Sequence, residues 1–431
     1  MDDATTVDAS HQPPRFTLLA QAQAIDTTSD EEGHASTQTD RPFFTSAQWT
    51  ADGTSVITTS SSQTVSTFVL PDDLLDPLQD SQPRQLRPDS TQRLPEPAQA
   101  VTAAPYFSLA EPASQTYLAP CRDHPIQLRH AFPGSGPPVP VLCTYKLIKK
   151  ETEQYITPSS LIWSNPGTHF VTGSTNRLDL FDVSRPGNDG PLLTLPTIPS
   201  RRHLSKGGGV GMKGAVSALS ASPADADGSS IIAAGTWTRW LGLYDFWRSD
   251  KTIANWSISG AGEGNVDVTG RGIAQTLWSP CGRYLVINER ASAGLLVYDI
   301  RVTGQLLSVL SGRGGETTQQ RLHCDVFAAE DGGFEVWAGS QDGMVNTWTG
   351  VGLHSEYGAA PSWSIQGHES PVGSTVLHQG GSVLATCSGG WEHSALKEVE
   401  DHSASQNGEV PRTTVFEESS LKLWTIENQS M

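Results

Sequence analysis

The feature that most constrains this chain is a spacing. Five times a turn glycine is followed, 14 to 16 residues later, by an aromatic residue that closes a run of strand formers: Gly53 to Phe68, Gly167 to Phe181, Gly228 to Tyr244, Gly282 to Tyr298 and Gly333 to Trp348. In three of these a tryptophan stands just ahead of the turn, as in Trp49-Thr50-Ala51-Asp52-Gly53, Trp163-Ser164-Asn165-Pro166-Gly167 and Trp278-Ser279-Pro280-Cys281-Gly282. A motif reused at such regular spacing is one supersecondary unit that must stack on copies of itself to bury its faces. Within the unit, Phe170-Val171-Thr172-Gly173-Ser174 and Leu178-Asp179-Leu180-Phe181-Asp182 read as strands joined by a polar hairpin turn, and Ser160 to Ser164 supplies a strand ahead of them. Helical periodicity is absent, and 41 glycines and 28 prolines punctuate the chain. Short strands joined by turns and repeated at long period predict an all-β propeller.

The period gives the blade count. The turn glycines at 167, 228, 282 and 333 are 61, 54 and 51 residues apart, whereas Gly53 to Gly167 is 114, or two intervals of 57. A degenerate blade must fill that gap, and Tyr106 to Phe132 is its best candidate, with Thr116–Ala119 and Pro125–Leu128 as inner and outer strands. A last blade opens at Ile365-Gln366-Gly367-His368, continues through Val383-Leu384-Ala385-Thr386 and closes at Leu421-Lys422-Leu423-Trp424. The total is seven blades. Gly-His near a strand start and Leu-Trp at a strand end are a worn WD-repeat signature, and the intervals exceed the roughly 40–45 residues of an ordinary blade. The expectation is therefore a seven-bladed WD-repeat propeller over residues 42–431, with insertions at about 71–100, 185–214 and 389–419. A polar, acidic tail over residues 1–41 reads as disordered. His368 is expected in a buried hydrogen-bond network, and most of Trp237, Trp240 and Trp247 in the core.

Composition narrows the function. A net charge of −18 opposes non-specific nucleic-acid binding and argues against a DNA partner. No apolar run approaches the length of a membrane span, and the acidic N-terminus lacks a signal-peptide core. Five scattered cysteines, never in CxxC spacing, read as reduced and mostly buried thiols. Gly209-Val210-Gly211-Met212-Lys213-Gly214 is a literal GxGxxG, but it leads into a strand rather than a helix, so it reads as a loop. His368-Glu369 lacks the second histidine of a zinc-protease helix, and Pro371 opposes that helix. With no nucleophile elbow and no His or Cys in ligand spacing, no catalytic residue, metal site or cofactor is expected, and the chain reads as a non-enzyme.

Several strings exceed generic repeat language. They are Arg122-Asp123-His124-Pro125-Ile126 with Ala131-Phe132; Asn176-Arg177, Phe181 and Ser184 to Asp189; Arg239-Trp240-Leu241-Gly242-Leu243-Tyr244; and Thr317-Thr318-Gln319-Gln320-Arg321. In this order, from about Phe43 to Trp424, they resemble the telomerase Cajal body WD-repeat protein family, including its divergent fungal members. The chain departs from that pattern at Arg129-His130, at Asn188 and at Cys387 to Trp391. The resemblance implies a scaffold in the nucleus and its nuclear bodies, with a cytoplasmic pool, monomeric within a larger complex. Its partners would be ribonucleoprotein proteins and small nuclear RNA: H/ACA-type small Cajal body or telomerase RNA, or splicing components. The alternative is a protein-interaction propeller in pre-mRNA splicing without direct RNA contact. RNA would be read as unstacked single-stranded bases, by arginines near strand ends. Arg185, Arg239 and Arg321 are the candidates, with Arg201, Arg202 and Lys206 as a basic addition; each could equally pair with a neighbouring carboxylate.

Overall fold

Each turn glycine and exit aromatic bracket one antiparallel hairpin. Phe68, Phe181, Tyr244, Tyr298 and Trp348 lie on the third strands of successive sheets and are all buried. Burial of one such ring contributes about 1.5–3 kcal/mol, which is why the aromatic recurs where the rest of the repeat has drifted. The computed structural model describes residues 14–24, 41–76, 82–134, 140–198, 212–261, 268–314, 318, 320–329, 332–393 and 413–427. Its sheets form a seven-bladed β-propeller.

From the channel outward, blade 1 comprises Phe44–Trp49, Ser55–Ser60, Thr64–Val69 and Ser90–Arg93, and blade 2 comprises Thr102–Ala103, Thr116–Pro120, Ile126–His130 and Val141–Tyr145. Blade 3 holds Ser160–Trp163, His169–Ser174, Arg177–Asp182 and Leu193–Pro196; blade 4 holds Val216–Ala221, Ile232–Thr236, Trp240–Tyr244 and Thr252–Ser257. Blade 5 has Ile273–Trp278, Tyr284–Glu289, Leu295–Asp299 and Leu306–Leu310, and blade 6 has Cys324–Ala328, Phe334–Gly339, Met344–Val351 and Trp363–Gln366. Blade 7 takes Val372–Leu377, Val383–Ser388 and Ser420–Glu427 from one end of the chain and Arg15–Gln23 from the other.

That last pairing corrects the expected disorder of residues 1–41. Arg15–Gln23 runs antiparallel to Ser420–Glu427, with Phe16 opposite Ile426 and Ala22 opposite Leu421, and closes the ring. Leu19, Ala20 and Ala22 are buried, and the Phe16 ring packs on Trp363 at 5.2 Å. The rest of that tail lies outside the described residues. The expected insertions are corrected in the same way: 71–100 contains the outer strand of blade 1, and 185–214 contains that of blade 3. In blade 2, the strands expected as inner and outer are its second and third. Within 389–419 a two-stranded hairpin pairs Trp391–His393 with Thr413–Val415. Of the GxGxxG string, Gly209 to Gly211 lie outside the described residues, while Met212 is fully buried and receives the Tyr244 hydroxyl at 3.2 Å.

Apolar clusters fill the seams between blades. Leu241 and Trp256 of blade 4 meet Leu285 and Tyr298 of blade 5, and Trp337 and Val345 of blade 6 meet Val372 and Leu384 of blade 7. Around the channel, inner-strand side chains donate to carbonyls of the next blade: Ser160 Oγ to Val216 (2.7 Å), Ser217 Oγ to Ile273 (2.5 Å) and Gln48 Nε2 to Val101 (3.0 Å). The Gly-His signature does what was expected of it. His368 is buried, with Nδ1 2.9 Å from Glu418 Oε1 and Nε2 2.7 Å from Thr386 Oγ1, and Trp424 Nε1 donates to the same hydroxyl at 3.0 Å. Burial lowers the His368 pKa, so the neutral ring tying three strands together is the stable form.

Candidate functional site

Antiparallel blades sort their connections onto two faces. Second-to-third turns and the links between blades lie where the inner strands begin; first-to-second and third-to-fourth turns lie at the opposite face. Several second-to-third turns need a left-handed residue, supplied by Gln63, Asp123, Asn176, Arg239 and Gly343 at φ of 64°, 55°, 62°, 63° and 83°. This geometry fixes where the candidate arginines stand.

Arg239 sits in such a turn of blade 4. Its Nε reaches Glu289 Oε1 at 2.7 Å and its Nη2 reaches Oε2 at 2.9 Å, so the guanidinium bridges to the end of a blade 5 strand. Arg321 belongs to the link into blade 6, on the same face. Its Nη1 donates to the carbonyl of Gln99, in the link into blade 2, at 2.9 Å. Arg185 lies in the third-to-fourth loop of blade 3, hence on the opposite face, where it pairs with exposed Asp189 at 3.0 Å. Arg239 and Arg321 are thus brought to one face and Arg185 is not. Arg201, Arg202 and Lys206 lie outside the described residues.

The face shared by Arg239 and Arg321 opens into the central channel, a cavity of about 1170 Å³ lined from every blade. Half of its lining residues carry hydroxyls or amides, as at Ser46, Gln48, Gln275 and Ser374, and most of the others are apolar. Among the described residues, three basic side chains line it: Arg290, Arg321 and His323. Burial, and then the like charge of Arg290, pull the Arg321 pKa down to about 10, so it stays cationic at neutral pH. His323 is hemmed in by protein yet borders the water of the channel. Burial, followed by the charge of Arg321, lowers its pKa to about 4, and its Nδ1 has no hydrogen-bond partner among the described residues. Arg290 extends over the Trp237 ring, 4.1 Å from the ring centre.

Aromatic residues complete the rim. Trp391, at the base of the hairpin, stands edge-on to Phe43 at 5.4 Å and is 47% exposed. The expected core placement of the blade 4 tryptophans is corrected: Trp237 and Trp247 are exposed, the first beneath Arg290 and the second edge-on to His169 on the opposite face. Sequence reasoning did not single out Arg290, His323 or Trp391. Aligning second-to-third turns would have found Arg290, because it occupies in blade 5 the connection that carries Arg239 in blade 4.

No family model matches the chain. Among curated proteins it is 25% identical over 316 residues to "Guanine nucleotide-binding protein negative regulator 1" of Schizosaccharomyces pombe, covering 73% of this chain and 72% of that protein. It is 26% identical over 350 residues to "Telomerase Cajal body protein 1" of Bos taurus and 24% over 351 residues to that of Mesocricetus auratus, covering 80% of this chain in both cases. The chain spans 58% of the length of each of these two proteins. No helix among the described residues is long and apolar enough to cross a membrane. The ring and these distant relatives together support a WD-repeat family and a protein-interaction scaffold.

Proposed function

We propose that this chain is a non-enzymatic nuclear scaffold that gathers small nuclear ribonucleoproteins, of the H/ACA or splicing type, for assembly or localisation. The observation that carries the reading is the channel-mouth face, where Arg290 and Arg321 come from consecutive blades beside the exposed rings of Trp237 and Trp391. Arginine guanidiniums beside exposed aromatic rings are the chemistry that holds unstacked bases and ribonucleoprotein side chains alike. Similarity to a telomerase Cajal body protein over four-fifths of the chain supports the nuclear setting.

A second reading, recruitment through protein contacts alone, is favoured by the ion pairs. Arg239 is already taken by Glu289 and Arg185 by Asp189, so neither is spare for phosphate. Crosslinking of the full chain in cells, followed by sequencing of bound RNA and mass spectrometry of co-purified proteins, tests both. Small nuclear RNA crosslinked to the chain, and lost with Arg321→Glu, supports the first reading. Ribonucleoprotein proteins without crosslinked RNA support the second. Recovery of neither above background overturns the scaffold.

A further inference from the structure

The link into blade 6 carries two arginines with opposite surroundings. Arg313 is buried and saturated: Nε donates to the Gly339 carbonyl (2.6 Å), Nη1 to Asn288 Oδ1 (2.9 Å) and Nη2 to the Leu322 carbonyl (2.9 Å). A structural arginine looks like this. Arg321 borders the open cavity instead; among the described residues its partner is one neutral carbonyl, and a second arginine rather than a carboxylate acts on its charge. A half-buried cation without a counter-charge is costly to keep, and an incoming anion removes that cost.

Apolar surface stands next to this charge. Gln320 Nε2 donates to the Gly389 carbonyl at 2.8 Å, which pins the Arg321 segment to the base of the hairpin bearing Trp391. The charged site and the exposed Trp391 ring, which stands against buried Phe43, are therefore neighbours on one rim. The channel below exceeds the roughly 300–1,000 Å³ of a small-molecule site, and its hydroxyl and amide lining suits a main chain. A nucleic-acid strand needs several phosphates neutralised at once. Here the basic groups among the described residues are few, Asp342 shares the lining, and the chain as a whole carries −18. Such a field tolerates one carboxylate and repels a polyanion.

We propose that the channel mouth docks an extended segment of a partner protein bearing an Asp or Glu beside a large apolar residue. The carboxylate lies against Arg321 and Arg290, and the apolar side chain against Trp391, whose ring is supported from behind by Phe43. The proposal rests on the scaffold reading and names the kind of partner the scaffold takes at this site.

Selection of a phage-displayed nine-residue peptide library on the full chain tests it, with Arg321→Gln and Trp391→Ala run in parallel. The expected result is enrichment of an acidic residue adjacent to a large apolar one. The leading synthetic peptide then loses about tenfold or more in affinity with Arg321→Gln, and a similar amount when its own acid is made the amide. Trp391→Ala weakens it independently, and melting curves for both variants match the parent. Enrichment without an acidic position overturns the proposal, as does undiminished binding to Arg321→Gln. Tighter binding of a 12-nucleotide oligouridylate, sensitive to the same variants, overturns it in favour of RNA. Failure here is distinct from failure of the scaffold reading: in that case ribonucleoprotein proteins still co-purify from cells with the full chain.

Discussion

Arg239 and Glu289 clasp each other across the seam between blades 4 and 5, fork to fork, with the Glu289 side chain 1% exposed and that of Arg239 14% exposed. The arginine holds a left-handed turn, which points its fork at the neighbouring blade rather than at solvent. Its nearest functional meaning is thus to fasten two blades.

Removing one half of this pair strands the other. Arg239→Met is expected to destabilise the chain by about 3–5 kcal/mol, because a buried carboxylate is left unpaired. Combining it with Glu289→Gln should restore much of the loss. Urea denaturation of both single variants and the double variant measures the coupling; additive losses would show that the pair is not a unit.

The strand that closes the ring is the next point of dependence. Phe16 packs on Trp363 and lies edge-on to Trp337 at 6.3 Å, so it ties the N-terminal strand into blade 6 as well as blade 7. Phe16→Ala is expected to cost about 1–3 kcal/mol, below the usual range for a fully buried ring because the site is only partly enclosed. Deleting residues 14–24 bares the edge of Ser420–Glu427 and should drive association between chains. Thermal melting and light scattering read the two effects.

His323 makes stability pH-dependent. Its pKa is about 4 in the folded chain, against about 6.5 unfolded. Between those values the unfolded state binds the proton and the folded state does not, so stability falls as pH drops from 7 toward 4. After allowance for screening by channel water the contribution is about 1–3 kcal/mol. His323→Gln should flatten this part of the profile in denaturation series at pH 7, 6 and 5. An unchanged slope would assign it to other groups, His368 first, whose pKa burial also lowers.

Gly343 turns the chain at the mouth face of blade 6 with φ of +83°, and an added Cβ would fall 1.9 Å from the His368 carbonyl oxygen. Backbone strain and a clash with main chain act together, so Gly343→Ala is expected to cost about 3 kcal/mol or more. Denaturant midpoints decide it; a loss below 1 kcal/mol would mean the turn relaxes.

What could be read in advance follows from where each strand buries itself. Second and third strands such as His169–Ser174 and Arg177–Asp182 are covered on both faces, so their alternation and closing aromatics survive in the sequence. Even the missing blade surfaced as a doubled interval around Thr116–Pro120. Outer strands such as Ser90–Arg93 and Leu193–Pro196 bury little and sit in polar surroundings, so they passed for insertions. Arg15–Gln23 was hidden for another reason: its partner is at the far end of the chain, and no local pattern encodes that register. The arginines were legible as residues but their partners were not. Glu289 becomes the counter-charge of Arg239, and Gln99 the acceptor of Arg321, only when blades are laid side by side.

Closure by the two ends also sets an order of events during synthesis. Arg15–Gln23 leaves the ribosome long before Ser420–Glu427, its antiparallel partner. Until Ser420–Glu427 appears, that segment, whose Leu19, Ala20 and Ala22 are buried in the finished ring, has a short parallel pairing with Arg84–Gln85 but lacks its long antiparallel partner, and the first blade has no seventh to pack against. Nascent chains of this architecture carry an incompletely paired strand until the seventh blade is translated. A chaperone that covers residues 15–23 until blade 7 appears would govern the yield of the folded ring.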